Sequence, residues 1–115
     1  MSGRVVAMSE WQASYENPIA AKAGETIRLS GRTDTWDGHT WLWAIAGDGR
    51  AGWIPDDLAE SRHGEVVVQA DYSAIELSCA EGEVLTGIRE THGWTWCLSG
   101  NGEAGWVPSH ILRAE

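Results

Sequence analysis

The chain has 115 residues, with eight tryptophans and no phenylalanine, and its 17 acidic and eight basic side chains give a net charge of −9. Such a surface repels phosphate groups, so we expect neither nucleic acid nor an anionic membrane as a partner. No apolar run is long enough to span a membrane and no secretory signal is recognisable, so we expect a cytoplasmic protein. Its two cysteines, Cys79 and Cys97, lie among apolar residues and are expected to be buried reduced thiols.

One pattern of residues occurs twice along the chain. The stretch "WLWAIAGDGRAGWIP" at 41–55 aligns without a gap with "WTWCLSGNGEAGWVP" at 94–108. Upstream, "AGETI" at 23–27 matches "EGEVL" at 81–85, and "SEW" at 9–11 matches "ADY" at 70–72. A repeat of this kind predicts two copies of one small fold. We place the first domain at residues 1–60, with longer loops, a short linker at 61–65, and the second domain at 66–115.

Each copy is predicted to consist of short strands. "RVVAMSEW" and "EVVVQADY" open the two copies with β-branched residues, and "ETIRLSG" then alternates apolar with polar side chains. The tryptophan-rich strand and the following "GWIP" or "GWVP" strand are separated by "GDGR" or "GNGE", which favours a tight hairpin. Only "PDDLAE" and "PSHIL" suggest a helical turn. The pattern predicts an all-β protein with two small five-stranded barrels in tandem. Its expected core includes Ile27, Leu29, Ala44, Leu77, Cys79, Leu85 and Cys97.

Successive segments of the second copy resemble the motifs of the Src-homology-3 (SH3) domain in its variant bacterial form. They are "ADYSAIELSCAEGEVL", "GWTW" and "GEAGWVPSHIL", and the first copy has the same order in "SEW", "AKAGETI", "WLW" and "AGWIPDDL". The resemblance implies tandem SH3-like barrels that form a non-catalytic module for binding a basic or proline-containing peptide or partner protein. In this family the ligand docks as a polyproline II helix in an aromatic groove between the RT and n-Src loops.

The resemblance also implies which residues line the two grooves. An RT-loop acid, Glu76, is expected to pair with the cation of a ligand, whereas the first copy has Pro18 at that position. Each copy lacks two of the aromatic walls of the family, so we expect weak binding, mainly through the second groove. The predicted groove residues are Tyr72, Glu76, Trp94, Pro108 and Ile111 in the second copy and Trp11, Trp41, Pro55 and Leu58 in the first.

The remaining tryptophans are assigned structural positions. Trp53 and Trp106 are expected to pack in the cores, since a large aromatic ring buries much apolar area. We expect Trp43 and Trp96 to cover the outer sheet face or an interface between the copies. Trp36, in the longer loop of the first copy, is expected to fold over its own groove or to dock on the other copy.

Two other functions remain open at this point. One is a Tudor-like cage, in which Trp41 or Trp94 and a carboxylate hold a methylated or quaternary cation. The other is a purely structural role with occluded grooves, and homo-oligomerisation is likewise left open. We expect no enzyme, because the four histidines are scattered singly through loops. We also expect no cofactor and no metal: the glycine-rich segments precede strands rather than helices, and the cysteines and histidines lack zinc-ligand spacing.

Overall fold

In a computed structural model, which describes residues 3–15, 17–36 and 38–115, the protein consists of strands and two short 3₁₀ turns. This confirms the all-β prediction. Within those ranges no helix is long and apolar enough to cross a membrane. The strands are β1 (Gly3–Ala7), β2 (Ala20–Ala21), β3 (Thr26–Trp36), β4 (His39–Ala46), β5 (Ala51–Pro55), β6 (Ala59–Arg62), β7 (Glu65–Val68), β8 (Tyr72–Ser73), β9 (Val84–Thr91), β10 (Trp94–Leu98), β11 (Ala104–Pro108) and β12 (Leu112–Ala114), and the 3₁₀ turns are Asp56–Leu58 and Ser109–Ile111.

The chain forms two compact units, but they do not follow the two sequence repeats. The split unit consists of Met1–Glu16 together with Ile75–Glu115, and the inserted unit is Asn17–Ala74. The split unit contains a five-stranded sheet of order β11-β10-β9-β1-β12, and the inserted unit one of order β5-β4-β3-β7-β6. These orders correspond position by position, so β1 and β7 have exchanged places between the repeats. Both strands have the same β-branched pattern, which allows either one to complete either sheet.

The compact units have other boundaries than the predicted domains. Residues 1–60 and 66–115 are repeats of sequence, but neither is a self-contained unit, because each contributes its first strand to the other. Residues 61–65 are not a linker between domains: they belong to the hairpin of β6 and β7, in which Arg62 lies opposite Glu65. The two residues between them, His63 and Gly64, have φ values of 51° and 82°. Two successive positive φ values are those of a type I′ turn, which fits the twist of a hairpin.

Each unit has its own apolar core. The small residues Ala44 and Cys97, predicted to occupy equivalent core positions, are both 0% exposed. Of the seven residues of the expected core, Leu29 is half-buried and the other six are buried. The core cluster of the split unit comprises Ala7, Leu77, Cys79, Leu85, Cys97, Val107 and Ile111, and that of the inserted unit comprises Ile19, Ala21, Ile27, Ala44, Ala46, Ile54 and Val68.

The two cysteines are buried and free, as the sequence predicts. Burial raises the pKa of Cys97 to about 11, with a smaller contribution from the neighbouring Cys79 thiol. Burial also raises the pKa of Cys79, and the negative charge of Glu83 adds to that shift. Both groups therefore remain protonated thiols at neutral pH, and they serve as small apolar core residues.

A pair of tryptophans covers the face of each sheet that lies opposite its core. In the split unit, Val107 and Cys97 point into the core, so the alternating side chains of Trp106 and Trp96 lie on the other face. Their rings meet edge to face at 5.1 Å, and the guanidinium of Arg89 lies 5.0 Å above the Trp106 ring. In the inserted unit, Trp43, Trp53 and Arg32 repeat this arrangement.

These positions refine the prediction that Trp53 and Trp106 are core residues. Trp106 is indeed buried, at 4% exposure, whereas Trp53 is only half-buried. Trp36 lies at the end of β3 opposite His39 and is 40% exposed, because the extra residues of the first copy lengthen the β3–β4 hairpin.

Candidate functional site

The exchange of strands continues into the RT-loop segments that follow β1 and β7. In the split unit Trp11 and Cys79 form a β-bridge, in which each backbone N–H donates to the carbonyl oxygen of the other residue at 2.9 Å. In the inserted unit Ala21 of β2 pairs with Tyr72 of β8. Each candidate groove therefore combines residues of both repeats. The structure thus differs from the predicted grouping of Tyr72 with Trp94 and of Trp11 with Trp41: Trp11 lies beside Trp94, and Tyr72 belongs to the inserted unit.

The groove of the split unit is built around two tryptophans from different repeats. The rings of Trp11 and Trp94 lie 5.5 Å apart at an interplanar angle of 78°, and both are half-buried. Trp94 begins β10 directly opposite the buried Pro108 of β11. The N–H of Ser109 donates to the carbonyl oxygen of Gly93 at 2.8 Å, which ties the second 3₁₀ turn to the hairpin between β9 and β10. The structure thus places predicted groove residues side by side on a braced support.

A carboxylate holds one of these tryptophans in place. Glu76 Oε1 accepts hydrogen bonds from Trp11 Nε1 and from the backbone N–H of Ser14, both at 3.1 Å. Nearby, the backbone N–H of Ala13 donates to Ser78 Oγ at 2.9 Å. Glu76 is half-buried and belongs to the RT-loop segment that faces the one carrying Trp11. Ser78 was not predicted from the sequence, and only its difference from the equivalent Ala20 of the first repeat could have indicated a role.

The equivalent groove of the inserted unit offers less aromatic surface. Trp41 is 8% exposed and lies opposite Pro55, which is also buried. The hydroxyl of Tyr72 donates to the carbonyl oxygen of Trp53 at 3.2 Å. Pro18, at the position equivalent to Glu76, is buried and has no carboxylate. Tyr72 is half-buried and packs against the core cluster of this unit.

Two predicted groove residues belong instead to the supporting core. Ile111 is 7% exposed and is a member of the core cluster of the split unit. Leu58 is half-buried and packs against the core cluster of the inserted unit. Both replace a tyrosine of the family pattern, and their aliphatic side chains turn inward instead of offering a ring to a ligand. Neither groove has an aromatic wall at this position.

Gly105, which was predicted only as a member of the repeated pattern, allows β11 to approach the RT loop closely. A Cβ atom on Gly105 would lie 2.7 Å from the carbonyl carbon of Glu76 and from the backbone nitrogen of Leu77. Because glycine has no Cβ atom, the N–H of Leu77 can donate to the carbonyl oxygen of Trp106 at 3.0 Å. This hydrogen bond fixes the RT-loop segment that carries Glu76 against β11. The triplet "AGW", which occurs in both repeats, could have indicated this close approach of two backbones.

Comparison with known proteins agrees with these observations. A family model described as the variant SH3 domain matches the chain twice, over residues 4–60 and 64–115. Neither the comparison with curated proteins nor that with solved structures found a match. The two matched segments follow the sequence repeats and cover nearly the whole chain, and each unit has the same order of five strands. The chain therefore belongs to the variant SH3 domain family, of which it contains two copies that exchange their first strands.

Proposed function

We propose that the protein is a non-catalytic binding module, whose main ligand groove is that of the split unit. The observation that carries this proposal is the pair of half-buried tryptophans, Trp11 and Trp94, which stand at 78° to each other beside Pro108. Aromatic walls of this kind accept the rings of a polyproline II ligand, whose conformation is largely fixed before binding. The family is one of binding modules, which agrees with this use of the groove.

The ligand that fits best is a basic, proline-containing peptide or an equivalent segment of a partner protein. The net charge of −9 attracts cationic ligands and speeds their association. Binding is weak, since Ile111 turns inward and leaves one wall of the groove without a ring; we expect dissociation constants of about 1 μM or higher, on the order of −8 kcal/mol. The inserted unit contributes less, because Trp41 is buried and Pro18 replaces the acidic residue.

A titration with matched peptides and matched variants tests the proposal. The probe is a short synthetic peptide with two prolines and an arginine, and its control has alanine in place of both prolines. Trp94→Ala should weaken binding of the probe by at least about tenfold, the size of effect expected for an anchoring aromatic residue. Trp36→Ala removes a 40% exposed tryptophan of the inserted unit and should bind like the wild type. Calorimetry measures affinity, and circular dichroism checks that both variants are folded.

Three results would count against the proposed groove. Trp94→Ala could bind the probe like the wild type, it could unfold, or the alanine control peptide could bind as tightly as the probe. Unfolding would assign Trp94 to structural support, and the structural role would then be favoured. Failure of the wild type to bind any peptide would favour that role as well.

A cage for a methylated cation is the second candidate function. The perpendicular arrangement of Trp11 and Trp94, with the Glu76 carboxylate beside them, is the observation that favours it, because such cages combine aromatic faces with an acidic group. We rank it second because Glu76 Oε1 already accepts two hydrogen bonds from within the protein. A proline-free peptide that contains trimethyl-lysine distinguishes the two: binding of this peptide in preference to the proline probe would favour the cage.

A further inference from the structure

Glu76 occupies the position at which the SH3 resemblance expects an acid that pairs with the ligand, yet its contacts lie within the protein. One carboxylate oxygen accepts from the indole N–H of Trp11 and from the backbone N–H of Ser14. A half-buried indole N–H needs an acceptor, and a charged acceptor makes the stronger hydrogen bond. These two bonds determine the orientation of the Trp11 ring, which forms one wall of the candidate groove against Trp94.

The hydrogen bonds of Glu76 depend on the exchange of strands between the repeats. Trp11 belongs to the first repeat and Glu76 to the second, although both lie in the split unit. If the first repeat kept its own RT-loop segment, Trp11 would lie beside Pro18, which has no side-chain acceptor. Ala13 would likewise lie beside Ala20 and lose its bond to Ser78. Glu76 is thus matched to a tryptophan of the other repeat.

We infer that Glu76 is a positioning residue, which fixes the Trp11 wall of the groove and does not pair with the cation of the ligand. The inference rests on the proposed function, because it assigns a role within the same groove. Preference for a basic ligand then comes from the field of the whole acidic surface, and not from one ion pair with Glu76. Different residues therefore determine the shape of the groove and its preference for a positively charged ligand.

Variants of the full chain without any ligand provide the first test. In Glu76→Ala the indole N–H of Trp11 loses its acceptor, whereas Glu76→Gln retains a side-chain oxygen that can accept the same bond. The readout is the indole ¹H–¹⁵N resonance of Trp11, assigned by its disappearance in Trp11→Phe. It should move to the position of a hydrated indole in Glu76→Ala and stay near its wild-type position in Glu76→Gln. An unchanged resonance in Glu76→Ala would overturn the inference.

Binding of two matched peptides provides the second test. One is the arginine-containing proline probe, and in the other the arginine is replaced by citrulline, which is similar in shape but uncharged. Glu76→Ala should weaken binding of both peptides by about tenfold, the effect of a lost charged hydrogen bond. Glu76→Gln should restore both affinities to within about threefold of the wild type. The control is Glu81→Gln, which removes the same charge from an exposed position in the turn before β9.

The ratio of the two affinities separates positioning from charge pairing. If Glu76 positions Trp11, the preference for arginine over citrulline is the same in the wild type, Glu76→Gln and Glu81→Gln. If the preference disappears in Glu76→Gln alone, the carboxylate pairs with the ligand and the inference is wrong. Should no peptide bind to the wild type, the proposed function fails, and the Trp11 resonance still decides the role of Glu76. Should Glu76→Ala unfold, the decision rests on the resonance and the ratio in Glu76→Gln.

Discussion

The exchange of first strands predicts which pair of introduced cysteines will form a disulfide in the intact chain. In the split unit Val6 of β1 lies opposite Arg113 of β12. The equivalent pair in the inserted unit is Val67 of β7 and Glu60 of β6. If each repeat kept its own first strand, Val6 would instead lie opposite Glu60. The variant Val6→Cys/Arg113→Cys therefore tests the exchanged fold, and Val6→Cys/Glu60→Cys is its matched alternative.

The geometry and the expected gain in stability are both favourable for the first pair. Opposite residues of antiparallel strands have Cα atoms about 4.5–5.5 Å apart, within the range that a disulfide spans. The bond closes a loop of about 100 residues, which on the chain-entropy account stabilises the folded state by about 4–5 kcal/mol. Loss of the half-buried Val6 side chain costs about 1 kcal/mol. A net gain of about 3 kcal/mol should raise the unfolding temperature clearly and should vanish on reduction.

The assay is mild oxidation of the folded protein, followed by peptide mapping by mass spectrometry and by thermal unfolding with and without reductant. The native cysteines are buried and should remain reduced, so they serve as an internal control. The Val6→Cys/Arg113→Cys variant should oxidise completely as a monomer, and the Val6→Cys/Glu60→Cys variant should stay reduced under the same conditions. The opposite result, with a disulfide between positions 6 and 60 only, would refute the exchange.

Two further predictions concern the packing of the split unit. Gly105→Ala should lower the free energy of unfolding by about 1–3 kcal/mol, because its Cβ would overlap the backbone of the facing RT-loop segment. The control is Gly100→Ala, whose Cβ would meet nothing within 4 Å. Urea unfolding measures both variants, and equal losses of stability would contradict the close approach at Gly105. The pKa of Cys97 is about 11 in the folded state against 9.0 for an ordinary thiol, so between these pH values only the unfolded chain loses this proton. The free energy of unfolding should therefore fall as pH rises from 9 to 11, by at most about 1.4 kcal/mol per pH unit. Cys97→Ala, which installs the residue found at the equivalent Ala44, should flatten that dependence, and an unchanged slope would contradict the assignment.

The fold class and most strands could be predicted from the sequence because they depend on local patterns that occur twice. The topology could not, because "RVVAM" and "EVVVQ" present the same alternation of side chains to a neighbouring strand. Strand pairing by hydrophobic pattern alone is satisfied equally well by either sheet. Two features outside the strands distinguish the arrangements: the turn that follows β6 and the side-chain contacts of the RT-loop segments.

The residues of the turn at 63–64 occur a second time in the sequence, in another tight hairpin. The dipeptide His-Gly occurs there and again at 92–93, in the hairpin between β9 and β10. At both places the histidine and the glycine have positive φ, with values of 51° and 82° at the first site and 52° and 84° at the second. Asn-Gly and Asp-Gly are the usual residues of a type I′ turn, and His-Gly is a less familiar one, which the prediction places within the linker at 61–65.

The same limits apply to the candidate site, where residue types were predictable but their partners were not. Trp11 was predicted to line a groove together with Trp41, whereas in the structure its ring lies beside that of Trp94. A comparison of Glu76 with Pro18 contains the missing information. In the exchanged arrangement the indole N–H of the half-buried Trp11 donates to the Glu76 carboxylate, and a hydrogen bond to a charged group contributes about 1.5–3 kcal/mol. Between two arrangements that form the same sheets, a difference of that size favours the exchanged one, so we expect Glu76 to contribute to selecting the fold as well as to orienting Trp11.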